Sequence, residues 1–225
     1  MTARVGVLGG TFDPIHFGHL DAADAARSAL SLDEVLFVPS HDPPHRPIDP
    51  RATAFHRFAL VALALDGRAG YRVSDVELVR EGSSYTSDTL RALHAAGLSP
   101  LQLFFIVGAD AFAEIATWHE YPRVLDAAHF VVVARPGMTT ENALALTPGL
   151  SARVRRAAPD ADLRATPCIF PIDARTRDVS STMIRQRIAL GHPLEDLVPI
   201  SVARYIATHH LYDLDDGLHG HHQDK

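Results

Sequence analysis

The sequence predicts an α/β fold: a Rossmann-like, doubly wound, mostly parallel sheet with a helical C-terminal segment. Three observations predict it. Short apolar runs bounded by turn residues recur along the chain, as buried strands do. Stretches with apolar residues at helical spacing lie between these runs. Strand and helix alternate in order, which is typical of a parallel sheet covered by helices on both faces.

Five apolar runs are the candidate strands, and each ends at or near a turn residue. In chain order they are RVGVL at 4–8, VLFVP at 35–39, LFFIV at 103–107, FVVVA at 130–134 and CIFPI at 168–172. A further segment from Arg72 to Leu78 alternates apolar and polar residues, which predicts a half-exposed strand near the sheet edge.

The spacing of apolar residues predicts helices at 17–30, 52–65, 87–96 and 110–127, the last interrupted near Trp118 and Pro122. Later in the chain, TMIRQRIAL predicts a helix with Ser180 or Ser181 as its N-cap and Gly191 as its stop. Another helix is predicted from Ile200 to His210. Two segments are expected to be irregular, at 41–50, where prolines are dense, and at 135–149.

Composition indicates one globular domain. The 225 residues are 47% hydrophobic, enough for one sizeable core, which we place at residues 1–212. Residues 213–225 are polar and rich in histidine, and we expect a disordered tail without a functional metal site. No apolar stretch approaches the roughly 20 residues that span a bilayer, so membrane insertion is not expected.

Charge and cysteine content narrow the class of protein. The formal net charge is -6, which argues against broad nucleic-acid binding. The single Cys168 allows neither an internal disulfide nor a zinc-binding cluster of thiols, which favours the cytoplasm. Arginine supplies almost all of the basic side chains, so cationic contacts to a phosphate must come from Arg or His.

The segment GGTFDPIHFGHL at 9–20 is the first candidate site. Gly9 and Gly10 follow the first strand, and a helix begins near Phe17. The loop therefore lies at the carboxyl end of a parallel strand and at a helix N-terminus, and both positions suit an anionic ligand. Glycines let backbone amides approach a phosphate closely, and Thr11 adds a hydroxyl.

Two histidines begin the following helix. His16 and His19 are three residues apart, so they lie on about the same helix face. A Gly-Gly turn with two histidines capping a helix is the structural alternative. The combination of glycines, hydroxyl and paired imidazoles favours a phosphate site instead.

The segment VSSTMIRQRI at 179–188 is the second candidate site. Its serines can cap the helix while exposing amides to an anion, and Arg185, one turn further on, could reach a phosphate. Alone, this pattern is more often an ordinary helix cap.

Together these segments resemble the nucleotidyltransferase superfamily, which carries a His-x-Gly-His signature and an ISSTxIR element. The resemblance implies transfer of an adenylyl or cytidylyl group to an acceptor phosphate with release of pyrophosphate. It implies Mg²⁺ held mainly by the ATP phosphates, and His16 and His19 as catalytic groups. The ATP-binding residues it implies are Gly9, Gly10, Thr11, Phe12, His16, His19, Gly108, Asp110, Ser180, Ser181 and Arg185.

Two further segments concern the acceptor. GSSYTSDTL at 82–90 places Tyr85 and Thr86 in a turn before a helix, which we expect to be capped by Ser87 or Asp88. Amides at such a position can bind a ligand, although an ordinary turn would look the same.

GAD at 108–110 follows the strand LFFIV and places a carboxylate at the carboxyl edge of the sheet, where Asp110 could accept hydrogen bonds from a ribose. For Asp110 the alternative is an N-cap. Trp118 offers a flat ring face to an aromatic ligand, and its alternative is core packing.

With their spacing, these segments resemble the bacterial nicotinate-nucleotide adenylyltransferases, in which SYTxDTL, GADxxxxxxxW and RPG follow in this order. The resemblance covers residues 4–212. It implies that Tyr85, Thr86 and Trp118 surround the pyridine ring and its carboxylate. It also implies that Arg135 meets the acceptor phosphate.

PPHR at 43–46 is similar to the PPHK loop of that family, with arginine in place of lysine. The resemblance implies substrate binding by His45 and a catalytic role for Arg46; a solvated linker is the alternative. His119 departs from the family pattern, because some relatives carry tyrosine after the tryptophan.

The resemblance thus implies an enzyme of NAD biosynthesis that joins AMP from ATP to nicotinate mononucleotide, with these small molecules as its partners and a homodimer left open. Backbone donors at Tyr85 and Thr86 would favour a carboxylate over an amide. Pantetheine-phosphate adenylyltransferase, a cytidylyltransferase and a non-catalytic nucleotide-binding module are the alternatives.

Overall fold

The computed structural model describes residues 3–43, 50–80, 82–156 and 166–213. The predicted loop at 41–50 is described only at its two ends, and His45 and Arg46 lie outside the described residues. Nearly all of the predicted tail, at 214–225, also lies outside them. The end of the domain at 212 therefore stays a prediction.

Six parallel strands form the sheet, in the order β3-β2-β1-β4-β5-β6. Their bounds are β1 (Val5–Gly10), β2 (Glu34–Pro39), β3 (Tyr71–Val73), β4 (Leu103–Gly108), β5 (His129–Val133) and β6 (Ile169–Ile172). The chain winds outward first from β1 to β3 and then from β4 to β6. The order reverses between β1 and β4, where open α/β sheets bind ligands at the carboxyl ends of the strands.

Seven α-helices lie in the described residues: α1 (Phe17–Leu30), α2 (Ala54–Leu65), α3 (Thr86–Ala95), α4 (Ala109–Ala113), α5 (Thr140–Ala145), α6 (Ser181–Ala189) and α7 (Ile200–Thr208). Short 3₁₀ turns occur at Ile115–Thr117, Arg123–Asp126 and Pro148–Arg153. None of the helices in the described ranges combines the length and apolar character needed to cross a membrane.

The helices cover both faces of the sheet, because successive strand side chains point to opposite faces. On β2, Phe37 packs into a core with α1, α2, α6 and α7, while Leu36 and Val38 pack into a second core with α3, α4 and α5. The predicted doubly wound α/β fold is confirmed.

Four local predictions are wrong. The strand expected from Arg72 to Leu78 is only the short edge strand β3, after which Leu78 N–H donates to the Asp75 carbonyl in a turn. The segment at 135–149 contains α5, whose N-cap Thr139 accepts a hydrogen bond from Asn142 N–H.

The third error concerns the N-terminus of α3. The helix begins at Thr86 with Tyr85 in the N-cap position, so Ser87 and Asp88 lie inside the first turn and cap nothing. The fourth error is the extent of the helix expected at 110–127: α4 covers only Ala109–Ala113, and the 3₁₀ turn Ile115–Thr117 follows before the interruption expected near Trp118 and Pro122.

Candidate active site

A cavity of about 410 Å³ opens at the carboxyl edge of the sheet, where the strand order reverses. Its wall combines the loop after β1, the ends of β4 and β5, and the N-terminal turns of α3 and α6. Of the residues singled out in the sequence, the cavity is lined by Gly9, Gly10, Thr11, Phe12, His19, Thr86, Gly108, Asp110, Trp118, Arg135 and Ser181.

The glycine loop comprises Gly9 and Gly10, the last two residues of β1, and the residues that join them to α1. Gly10 packs closely within it. A Cβ at Gly10 would lie 3.1 Å from the Phe12 ring, which is buried. Phe12 itself adopts a left-handed backbone conformation (φ 50°), which is uncommon for a bulky residue and occurs at binding sites. The buried Arg57 guanidinium donates to the Thr11 carbonyl at 2.7 Å and so helps to fix the loop.

His19 lines the cavity and has a defined hydrogen-bonding state. The His16 backbone N–H donates to His19 Nδ1 at 3.3 Å, so Nδ1 is the acceptor nitrogen and the proton of the neutral ring lies on Nε2. The ring also contacts Phe12 edge-on at 5.0 Å between centroids. His19 therefore carries a ring N–H donor at a fixed position.

His16 is buried behind His19 rather than beside it. The two rings stack with 3.7 Å between centroids, and His16 is 2% exposed. Burial, with a smaller contribution from the Arg135 charge, lowers the pKa of His16 to about 3. The prediction of two imidazoles sharing one helix face holds, but His16 is neutral at pH 7 and supports His19 from behind.

Arg135 and Asp110 face each other across the end of β4. Arg135 Nε lies 4.0 Å from Asp110 Oδ1, and both side chains are partly exposed to the cavity. Gly108 allows this approach, because a Cβ there would lie 2.5 Å from Asp110 Oδ1. Gly108 is also the N-cap residue of α4, so Asp110 lies in the first turn and is not the cap.

The N-terminus of α6 packs against the glycine loop and contributes to the cavity wall. Ser180 is the N-cap and accepts a hydrogen bond from Met183 N–H at 3.1 Å. Ser181 lines the cavity and donates to the Pro14 carbonyl at 2.9 Å. Arg185 stands behind this turn, where its guanidinium donates to the Asp13 carbonyl at 2.7 Å.

A second cavity of about 420 Å³ adjoins the first and shares Ser84, Thr86, Ala111 and Trp118 with it. Trp118 packs edge-on against Phe105 at 5.9 Å and also lines both cavities, so the core-packing and ligand-binding interpretations both apply. Tyr85 and His119 line the second cavity.

His119, which departs from the family pattern, has defined partners in the structure. Its ring stacks on Tyr85 with 4.3 Å between centroids, and its Nδ1 is hydrogen-bonded to Ser87 Oγ at 3.0 Å. The histidine thus helps to hold the start of α3, where Asp88 N–H donates to the carbonyl of the N-cap residue Tyr85 at 3.0 Å.

The structure adds cavity residues that the sequence did not single out. Ser40, one residue after β2, is 8% exposed, and within the described residues its hydroxyl has no hydrogen-bond partner. Glu77 is 6% exposed, lines the cavity and accepts a hydrogen bond from Thr89 Oγ1. Burial raises the pKa of Glu77. The position of Ser40 after a strand could have indicated it, whereas nothing in the sequence around Glu77 does.

Arg57 was also missed. It is 1% exposed, and besides Thr11 its guanidinium binds the Ala52 carbonyl at 3.1 Å and the His41 carbonyl at 3.2 Å. It therefore joins the loops after β1 and β2 to the start of α2. The available signal was an arginine within the otherwise apolar helix AFHRFALVALAL.

Comparison with known proteins identifies the family of this chain. The cytidylyltransferase-like family model matches residues 7–187. A protein of Roseiflexus sp. (strain RS-1), named probable nicotinate-nucleotide adenylyltransferase, is 41% identical over 211 residues, which cover 94% of this chain and 98% of that protein. The chain belongs to the nicotinate-nucleotide adenylyltransferase family. A Symbiobacterium thermophilum member of the family is 42% identical over 214 residues, 93% of this chain and 95% of that protein.

Solved structures of other proteins share the fold of this family member. Nicotinic acid mononucleotide adenylyltransferase of Plasmodium falciparum, solved in complex with NaAD, aligns with a TM-score of 0.68 and 16% identity. The alignment covers 93% of this chain and 97% of that chain. At this identity the comparison supports the architecture, while the family follows from the sequence relatives.

Proposed function

We propose that this enzyme transfers the adenylyl group of ATP to the phosphate of nicotinate mononucleotide, giving nicotinate adenine dinucleotide and pyrophosphate. The observation that carries the proposal is that two adjoining cavities bring together the glycine loop with His19 and the Tyr85–Thr86 turn with Trp118. One ligand on each side would meet at the carboxyl ends of β1 and β4.

On the ATP side, the glycine loop and the N-termini of α1 and α6 supply amide donors and positive helix ends for the phosphates. His19 Nε2–H would donate to the triphosphate and stabilise the charge that grows on it as the bond to the α-phosphorus breaks. Asp110 would accept hydrogen bonds from the ribose. Ser181 and Arg185 would complete the triphosphate site.

On the acceptor side, the first-turn amides near Thr86 would hydrogen-bond the nicotinate carboxylate while Trp118 stacks on or beside the pyridine ring. Arg135 lies where an acceptor phosphate could reach both the ring site and the ATP site. An oxygen of that phosphate attacks the α-phosphorus, a new P–O bond forms, and pyrophosphate leaves with the electrons of the broken bond. No covalent enzyme intermediate is needed, and positioning supplies much of the catalysis.

Magnesium fits this site as an ion held by substrate. Within the described ranges no three His, Cys, Asp or Glu side chains come together in a metal-binding group, and two carboxylates, Asp110 and Glu77, are in the cavity wall. Mg²⁺ usually keeps several waters and binds through substrate phosphates with one or two carboxylates. Bound with ATP, it would neutralise phosphate charge; Asp110 is the more exposed candidate ligand.

A product assay tests the proposed function. The purified chain is given Mg-ATP with nicotinate mononucleotide, nicotinamide mononucleotide or phosphopantetheine, or CTP with a phosphorylated acceptor. Products are identified by mass spectrometry and pyrophosphate is measured in parallel. We expect nicotinate adenine dinucleotide and pyrophosphate in equal amounts. Faster turnover of phosphopantetheine or CTP, or no turnover with any pair, would contradict the proposal. A homodimer and a cytoplasmic location stay predictions.

A further inference from the structure

Asp13, in the loop between β1 and α1, is a buried carboxylate with partners from three distant parts of the chain. It is 1% exposed. Its Oδ2 accepts from Arg51 N–H at 2.9 Å, and its Oδ1 accepts from Ala52 N–H at 3.1 Å. Tyr212 O–H donates to the same Oδ1 at 3.0 Å. A buried carboxylate is costly unless its oxygens are occupied in this way.

Asp13 also determines where Arg185 points. Arg185 Nη1 donates to the Asp13 carbonyl at 2.7 Å and lies 3.7 Å from Asp13 Oδ2. Arg185 Nη2 donates to Thr182 Oγ1 at 3.2 Å within the same helix. The guanidinium is thus held mainly through the backbone of Asp13, and its contact with the carboxylate is longer than a hydrogen bond.

Tyr212 reaches this network from beyond the end of α7. It is 8% exposed, in a left-handed backbone conformation (φ 69°), and the preceding Leu211 N–H closes the helix end on the Ile206 carbonyl. Burial and the neighbouring Asp13 carboxylate raise the pKa of Tyr212, so its hydroxyl keeps its proton and remains a donor.

We propose that Tyr212 is a positioning residue for ATP binding: its hydroxyl occupies Asp13 Oδ1, and Asp13 in turn holds Arg185 beside the N-terminal turn of α6, whose Ser181 lines the cavity. The inference rests on the proposed function for the placement of ATP. Without the tyrosine hydroxyl, Asp13 lacks one donor, and Arg185, whose Nη1 lies 3.7 Å from Asp13 Oδ2, can move closer to replace it. The guanidinium would then turn towards the carboxylate and away from the nucleotide, since a charge-assisted pair is stronger than a neutral one.

The first arm of the test compares two tyrosines. Tyr212→Phe removes the hydroxyl that donates to Asp13, while Tyr205→Phe removes a hydroxyl on α7 that is hydrogen-bonded to His56 Nδ1 at the same 3.0 Å. The Kd of Mg-ATP is measured by calorimetry, at a temperature well below the Tm of each variant. We expect Tyr212→Phe to weaken ATP binding about 3- to 10-fold. Tyr205→Phe should stay within about twofold of the wild type.

The second arm asks whether Tyr212 acts through Arg185. In an Arg185→Ala background, Tyr212→Phe should change the Kd of ATP by less than about twofold, because residues in one network couple. The inference is overturned if Tyr212→Phe weakens binding equally in both backgrounds. It is also overturned if Tyr212→Phe leaves the Kd unchanged or if Tyr205→Phe weakens binding as much. Formation of nicotinate adenine dinucleotide by the wild type is scored separately, so failure of the proposed function is distinguishable.

Discussion

Replacing His19 is the perturbation whose outcome the site geometry determines most fully. The His16 amide occupies His19 Nδ1, so the proton of the neutral ring lies on Nε2, and Nε2–H is the donor that the proposed function assigns to the triphosphate. In His19→Ala that donor is lost, and His16 is not placed to replace it, because it is 2% exposed, stacks on the buried side of His19 and does not line the cavity. We therefore expect a loss in the chemical step rather than in folding.

The magnitude follows from the loss of one preorganised donor to developing charge. Such a loss costs about 3 to 4 kcal/mol, or a factor of about 100 to 1000 in kcat. A matched pair sharpens the expectation. In His19→Gln the amide nitrogen can reach about the position of Nε2, whereas in His19→Asn it reaches about that of Nδ1. The glutamine variant should retain about tenfold more activity than the asparagine variant.

Single-turnover and steady-state measurements with saturating ATP and nicotinate mononucleotide give kcat, and thermal unfolding reports the fold. The reasoning would be refuted by near-normal turnover in His19→Ala. Equal activity of the glutamine and asparagine variants would refute the assignment of the donor to Nε2. A far-UV spectrum unlike that of the wild type would show that the variant reports on folding instead.

Two further predictions concern packing and pH. Gly108→Ala should lower kcat/KM about 10- to 100-fold, since its Cβ would lie 2.5 Å from Asp110 Oδ1. The control Gly149→Ala, where a Cβ meets nothing within 4 Å, should leave kcat/KM unchanged. Equal losses of kcat/KM in the two variants would contradict the prediction. Burial lowers the pKa of His129 to about 4, whereas in the unfolded chain it is near 6.5. Between these two pH values the unfolded chain binds a proton at His129 that the folded protein does not bind. The free energy of unfolding therefore falls as the pH drops through this range. Wild type should lose about 2 kcal/mol at pH 5 through this group. The variant His129→Gln keeps an acceptor for Cys168 N–H but has no imidazole to protonate. Urea unfolding at pH 7 and pH 5 should therefore show no such loss of unfolding free energy in this variant. Equal losses in wild type and variant would contradict the prediction.

Elements with strong local signals were predictable from the sequence. Helix α1 runs from Phe17 to Leu30 as expected, because apolar periodicity lies between a capping His16 and a left-handed Ser31 that ends it. Helix α5 was missed because its short run follows a Pro-Gly turn and resembles loop composition. Its one local signal is Thr139 three residues before Asn142.

The residues of the candidate site were predictable where they lie at the end of a strand or the start of a helix, because such positions can be recognised in the sequence. Thr86 and Trp118 come together at one cavity although 32 residues separate them, as the motif order implies. Glu77 was not predictable, because its place in the cavity wall depends on burial and on its partner Thr89. For Arg57 the sequence signals only an arginine in an apolar helix, and its contacts with the loops after β1 and β2 follow from the fold. The N-cap at α3 was misassigned because Ser and Asp are the preferred capping residues and Tyr85 is not.

The measurement that tests the proposed activity most directly is the ratio of kcat/KM for nicotinate mononucleotide to that for nicotinamide mononucleotide, at saturating Mg-ATP. The amides at the start of α3 can donate to both oxygens of a carboxylate, whereas the NH₂ of an amide would face a donor. Two hydrogen bonds to a charged group predict a preference of about 100-fold or more for the acid. Comparable constants for the two nucleotides would contradict acceptor recognition by the Tyr85–Thr86 turn.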